Sequence, residues 1–203
     1  MGKGVFITFE GIDGCGKSLM LKRTAAALRE RGLEPLLTRE PGGSELGRRF
    51  RRLILDSPFD SVDERTETLL FAADRACHVR QVITPALEAG SIVLCDRYID
   101  STLAYQGYGR GLDIDFLRRL NDFAGCGLRP DLTLLLDVDP AIAAARRGAK
   151  ADRMEQEQAE FFARVRAGYL ALAGQCPRIA VIDASAAPER VAEQVWDKVR
   201  ELL

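Results

Sequence analysis

The chain is poor in several things, and each shortage excludes something. Its 203 residues include one histidine, His78. A multi-histidine metal centre is ruled out, and triad chemistry has little to build on. There are five cysteines (Cys15, Cys77, Cys95, Cys126 and Cys176), an odd number with no C-x-x-C pair. That pattern argues against a disulfide framework or a zinc site and for a reducing, cytoplasmic setting. No apolar run approaches the ~20 residues that cross a bilayer. The stretch Met1 to Glu10 has one basic residue and a short apolar run ending in an acid, which does not read as a secretory signal. Net charge is -1, so bulk electrostatics give no reason to expect a nucleic acid polymer or a membrane as partner. Lysine is scarce too: 24 of the 29 cations are Arg. The Arg fork suits carboxylate and phosphate, but a GC-rich coding sequence gives the same bias, so the count decides nothing by itself.

What is present reads as one α/β domain spanning 1–203. Hydrophobic residues make up 47% and charged residues 29%, which is ordinary for a globular chain of this size. Short runs rich in branched residues predict strands at Val5 to Phe9, Glu34 to Thr38, Ser91 to Cys95, Leu132 to Val138 and Arg178 to Ile182. Helical patterns separate them: Lys17 to Arg31, Ser44 to Leu55, Val62 to Ala89 with a break expected near Pro85, Tyr98 to Gln106, Asp113 to Ala124, Pro140 to Arg147, Glu155 to Ala173 and Pro188 to Leu203. Strands alternating with helices, and nearly continuous apolar strands, predict a five-stranded parallel sheet covered on both faces.

The strongest local signal is Gly11-Ile12-Asp13-Gly14-Cys15-Gly16-Lys17-Ser18, a match to G-x-x-x-x-G-K-[ST] between a strand and a helix. Glycines let the backbone wrap phosphate oxygens, and the helix N-terminus adds partial positive charge. Lys17 is expected to reach the outer phosphates and Ser18 to ligate Mg²⁺ of a bound ATP. Asp96, at the end of the strand Ile92 to Cys95, is the expected second metal residue, through a water; a helix N-cap is the plainer reading of the same residue. Arg97 follows it, which suits a second anion better than water activation. The only Asn is Asn121, followed by Asp122, so there is no N-K-x-D guanine signature.

A small phosphorylated acceptor needs its own cationic cradle, and three segments could build one. Thr38-Arg39-Glu40-Pro41-Gly42-Gly43 follows the second strand, although it is equally a turn. Phe71 and Arg75 share a helix face, where a Phe is more often core. Arg97, Ser101 and Tyr105 recur at i, i+4 and i+8, an anion binder, a hydroxyl and an aromatic in one row.

These residues together resemble the thymidylate kinase family: F-E-G-I-D-G-C-G-K-S (9–18), T-R-E-P-G-G (38–43), L-F-A-A-D-R (70–75), D-R-Y-I-D-S-T-L-A-Y-Q-G-Y-G-R-G (96–111), R-P-D-L-T-L-L-L-D-V (129–138) and D-R-M-E (152–155) lie in the family's order over nearly the whole chain. The resemblance implies a P-loop NTPase-type fold and transfer of phosphate from ATP to dTMP with Mg²⁺. It places Phe71 and Arg75 on thymine, Arg39 and Arg97 on the dTMP phosphate, Ser101 and Gln106 near the base, Tyr105 against the sugar, Pro41 at the 5-methyl group, and Asp13 toward the deoxyribose and acceptor phosphate. It makes 146–155 a lid over ATP. With Gly14 in the P-loop, the catalytic arginine is expected in the lid, among Arg146, Arg147 and Arg153. Arg153, in D-R-M-E, is the one expected to act on the transferred group, an exposed helix-start Arg being the plainer reading. A homodimer through helices, including the Val62 to Ala89 region, is also implied. One departure is Leu19-Met20, where relatives usually carry a second hydroxyl that touches the donor α-phosphate. The rival readings are a deoxynucleoside kinase and a nucleotide-binding switch without transfer activity.

Overall fold

Five short strands, β1 (Val5–Glu10), β2 (Leu36–Arg39), β3 (Ile92–Asp96), β4 (Leu132–Asp137) and β5 (Ile179–Asp183), form one sheet in the order β2-β3-β1-β4-β5. Every pairing is parallel, with Phe9 beside Asp96 and Thr8 beside Thr133. The structure, a computed structural model, describes residues 4–58, 61–146 and 153–203. β1, β3 and β4 are buried on both faces, which is why they read as apolar runs. Among the exceptions, Thr8 and Thr133 meet hydroxyl to hydroxyl at 2.7 Å across the register. The strand order reverses around β1, so the crevice beyond its carboxyl end is the natural ligand site of such a sheet.

The helices are α1 (Lys17–Arg29), α2 (Glu45–Leu55), α3 (Glu64–His78), α4 (Thr84–Glu88), α5 (Ile99–Thr102), α6 (Ile114–Ala124), α7 (Pro140–Arg146), α8 (Ala159–Gln175) and α9 (Pro188–Arg200). Ser44, Asp63 and Asp113 cap α2, α3 and α6 by accepting backbone N–H bonds. α1 has no side-chain cap, and Gly16 precedes it at φ 102.

Three expectations are corrected. The long helical pattern over 62–89 is α3, a π-helical stretch Val79–Ile83 and α4. The disturbance falls one turn before Pro85, where the widened ladder accommodates a ring that would clash with the carbonyl four residues earlier. The pattern after Asp96 is one short turn, α5, that widens into a second π-helical stretch, Leu103–Gly109. The pattern from Glu155 starts later as α8, at Ala159, after a turn over 153–156.

The T-R-E-P-G-G segment joins β2 to α2 and lies on α3. A Cβ on Gly43 would fall 2.3 Å from His78 Nε2 and 2.7 Å from the Arg39 carbonyl. Gly43→Ala is therefore expected to cost about 1–3 kcal/mol, as overpacking does. Urea unfolding checks this, and an unchanged midpoint would mean that the loop yields freely.

Candidate active site

Two cavities open at the carboxyl end of β1 and share a wall. The larger, about 510 Å³, is lined by Asp13, Gly14, Gly16, Lys17, Ser18, Leu19, Arg39, Glu40, Arg51, Asp96, Arg97, Arg146 and Glu155. The tighter one, about 90 Å³, is lined by Asp13, Glu40, Pro41, Arg51, Leu55, Phe71, Arg75, Arg97, Tyr98, Ser101, Thr102, Tyr105, Gln106 and Met154. Asp13 and Arg97 stand where they meet.

The first cavity is the P-loop cleft. Gly11 is at φ 133, and a Cβ there would sit 2.6 Å from the Leu136 carbonyl, so only glycine fits. Ile12 and Cys15 are buried beneath the loop, and the Cys15 Sγ lies 3.8 Å from Lys17 Nζ. Lys17, expected to extend toward phosphate, instead donates to the carbonyls of Gly11 and Ile12, both at 3.0 Å, and lies 3.8 Å from Asp13. A buried ammonium must have acceptors, and the loop's own carbonyls supply them. Ser18 donates to Asp96 Oδ2 at 2.9 Å, while Asp96 Oδ1 is buried with no partner among the described residues. A hydroxyl beside a carboxylate with a free oxygen is a donor set for a hard cation that keeps most of its waters.

Arg97 organises the boundary. It follows β3 at φ 70, a left-handed conformation costly for a residue with a side chain. Backbone bonds hold it there: Arg97 N to Phe9 O at 3.0 Å, and Tyr98 N to Glu10 Oε1 at 2.7 Å. Its guanidinium donates to Asp13 (2.7 Å), Tyr105 (3.0 Å), Ser101 (3.1 Å) and Tyr169 (3.2 Å). The row of Arg97, Ser101 and Tyr105 thus converges, though the helix beneath it is not regular. Burial works against ionisation of Asp13, but the Arg97 and Lys17 charges, with bonds from Arg97 and Tyr105, hold its carboxyl well below the usual range.

Sequence reasoning missed Glu10 and Tyr169. Glu10, fully buried, accepts from Ser101 (2.6 Å) and Tyr169 (2.8 Å) as well as Tyr98 N. Burial and the nearby Asp100 charge push it up to about 7, against the pull of Arg97 and the two hydroxyls. Nothing in a lone Glu at a strand end signals this; only the return of α8 over the sheet brings Tyr169 to it.

The second cavity collects Pro41, Phe71, Arg75, Ser101, Tyr105 and Gln106 as neighbours. Arg75 is buried and engaged by Glu40 (2.9 Å), Thr102 (3.0 Å), Asn121 and the Tyr98 carbonyl (3.1 Å). Glu40 also accepts from His78 Nδ1 at 3.0 Å, and His78 Nε2 meets Thr38 at 2.6 Å. Arg51, also missed, lines both cavities and donates to the Pro41 carbonyl. It lies in the run Arg48-Arg49-Phe50-Arg51-Arg52, whose sequence does not say which arginine turns inward.

Two expected residues are placed differently. Arg39 is exposed and lines the P-loop cleft, not the tighter cavity. Arg153, expected at the transferred group, is 2% exposed and donates to the Ile54 carbonyl (2.7 Å) and to buried Glu67. It lines neither cavity, being held by the carboxylate buried in α3. Arg146 does line the P-loop cleft, with one bond to the Ala184 carbonyl at 2.8 Å. Arg147 lies outside the described residues.

A P-loop cleft beside a smaller cavity, with a cation between them, suits transfer between two small molecules. The class is a P-loop kinase with a small acceptor. The family model described as thymidylate kinase matches residues 9–195. The chain is 51% identical to the thymidylate kinase of Solidesulfovibrio magneticus, covering 98% of this chain and 100% of that one. It is 53% identical to that of Desulfovibrio desulfuricans (98% and 96% covered) and 49% identical to that of Geobacter sulfurreducens (96% and 95%). The chain belongs to the thymidylate kinase family.

Glu10 gives a pH test of the site's electrostatics. Its folded pKa, about 7, exceeds the usual 4.5. The folded state therefore holds the extra proton between these values, and the stability that it contributes is full below pH 4.5 and lost as pH rises through 7. Glu10→Gln, which mimics the protonated form, is expected to match the wild-type Tm near pH 5 and exceed it near pH 8. A gap that does not change with pH would remove Glu10 from the account.

Proposed function

We propose that this dTMP kinase transfers the terminal phosphoryl group of ATP to dTMP across the wall formed by Asp13 and Arg97, with ATP in the P-loop cleft and dTMP in the tighter cavity. The observation that carries the reading is that these two residues line both cavities. The nucleophile is an oxygen of the dTMP phosphate, whose second pKa of about 6 leaves it mostly dianionic at pH 7. No general base is needed. The obstacle is repulsion between two anions, and alignment with charge neutralisation supplies most of the rate.

Each residue has a part in this. Lys17 and the α1 N-terminus hold the donor phosphates. Ser18 and Asp96 hold the Mg²⁺, which neutralises donor phosphate charge when bound. Arg97, aided by Arg39 at the cleft edge, holds the acceptor phosphate. Asp13 fixes the Arg97 fork and faces the sugar with Tyr105. Phe71 stacks on the base, Pro41 borders its 5-methyl group, and Arg75, Ser101 and Gln106 face its polar edge. Segment 146–155 acts as a lid that excludes water, and Arg146, with Arg147, supplies the arginine for the transferred group. Arg153 serves instead as a buried clamp at the lid's base.

The working form is proposed to be a cytoplasmic homodimer. The five cysteines are all free thiols, in keeping with a reducing compartment. Among the described residues no helix is long and apolar enough to cross a membrane. Neighbouring helices α2, α3 and α6 leave Leu53, Leu69, Phe116 and Phe123 exposed, Phe123 to 86%, more apolar surface than adjacent helices usually leave to water.

ADP release with ATP and Mg²⁺ across dTMP, thymidine, dUMP, dCMP, AMP and GMP tests the reading. Turnover led by dTMP supports it, and preference for thymidine would move the chain to nucleoside kinases. Arg146→Ala is expected to lower kcat by ~10³-fold, as loss of an arginine finger does, and Arg153→Ala by less than tenfold, with a lower Tm. The reverse order would return the catalytic part to Arg153. For the dimer, Leu69→Glu with Phe123→Glu is expected to halve the mass in light scattering; an already monomeric wild type would refute it.

A further inference from the structure

Glu67, in the first turn of α3, is a carboxylate with no exposed surface and no place on either cavity wall. It gathers donors from two other parts of the chain. Gln106 Nε2 donates to Oε1 at 2.7 Å, Arg110 donates to Oε2 at 3.1 Å, and Arg153 donates to Oε2. A stabilising core would not select this arrangement, since burying a carboxylate with two guanidinium groups rarely gains over apolar packing. Its effect on Gln106 is specific. A primary amide has a donor end and an acceptor end that differ little in shape. A carboxylate flanked by two arginines can only accept, so it fixes the NH₂ end of Gln106 toward itself. The oxygen end, Oε1, then has no donor among the described residues, is not sealed from solvent, and belongs to a residue that lines the tighter cavity.

We propose that Glu67 is a positioning residue for base selection: it locks the Gln106 amide so that an acceptor faces the acceptor nucleotide's base. The inference rests on the reading that this cavity takes the base of dTMP. An oxygen there matches a base whose ring nitrogen carries hydrogen, as N3–H of thymine or uracil does. It meets the bare N3 lone pair of cytosine with like polarity, leaving two buried acceptors opposed and unpaired. Mispairing of that kind in a built polar site discriminates by tenfold or more. Glu67 thus selects through Gln106, without touching substrate. The same carboxylate anchors Arg153, so the base of the lid and the base-reading amide share one support.

The test compares kcat/KM for dTMP and dCMP in wild type, Glu67→Gln, Glu67→Asp and Arg153→Met. In Glu67→Gln the new amide can present either end, which frees Gln106 to turn over. The dTMP-to-dCMP ratio is expected to fall about tenfold or more, mostly through KM, with a smaller change in kcat on dTMP. Glu67→Asp keeps an acceptor-only group and is expected to restore part of the ratio. Arg153→Met removes the lid clamp but not the Gln106 bond, and is expected to lower Tm while leaving the ratio within about threefold. If Glu67→Gln loses activity on both nucleotides equally, so that the ratio stays within about threefold of wild type while Tm falls, Glu67 is structural and the proposal is overturned. Should Glu67→Gln fold poorly, Gln106→Leu decides, and an unchanged ratio there overturns the proposal as well. A wild type without preference for dTMP over dCMP would instead sink the acceptor reading beneath it.

Discussion

The site depends on one constraint: Arg97 must leave β3 in a left-handed conformation. Strands run extended, and an extended Arg97 would carry its side chain along the sheet and away from the P-loop. At φ 70 it turns back across β1. Such strain costs on the order of 1–3 kcal/mol and persists only where surroundings over-determine it. Here they do. The Arg97 N–H is tied to Phe9, the next N–H to Glu10, and the guanidinium to four side chains. The last residue of β1 therefore sets both the entry to the P-loop and, through Ser101 and Tyr169, the position of the cation at the boundary between donor and acceptor.

The acceptor side is built by a different means. Three buried carboxylates, Glu10, Glu40 and Glu67, each collect donors from separate elements and each hold a group on the cavity wall. Burying a carboxylate contributes little net stability but punishes rearrangement, since losing a partner strands a buried polar group. That exchange suits a site that must recognise a small planar base. Rigidity in the pocket wall is obtained from charges placed behind it, Glu10 and Glu67, and from Glu40 within it. Asp74 belongs to the same layer: burial and the Glu40 charge push it up to about 6, and its Oδ1 accepts from the Gly42 N–H that seats the loop.

Much of this was legible in the sequence, and the limits have physical reasons. The sheet was legible because parallel strands buried on both faces leave unbroken apolar runs. The P-loop was legible because its chemistry demands glycines at fixed spacing. Arg97, Ser101 and Tyr105 were legible because even an irregular helical segment keeps their rough spacing. What failed to show was whatever depends on a distant partner. Arg153 reads as a mobile lid cation until Glu67, 86 residues earlier, is folded beneath it. Arg51 is indistinguishable from its neighbours until the helix is laid on the cleft. The π-helical stretches leave no periodic trace, since one residue of slippage over five to seven is within the tolerance of any apolar pattern.

The two cations at the junction of the cavities are tied to one aspartate. Lys17 is turned onto its own loop, and all four terminal N–H bonds of Arg97 are directed to protein oxygens. Neither cation is waiting in open solvent for one phosphate. Each must exchange partners, and the exchange is favourable when a dianion replaces a neutral carbonyl or hydroxyl. Asp13 is bonded to Arg97 and close to Lys17, so one carboxylate restrains both cations. On the proposed reading, a phosphate in either cavity would compete for a partner of that carboxylate and so loosen its hold on the other cation, which couples the two cavities through Asp13.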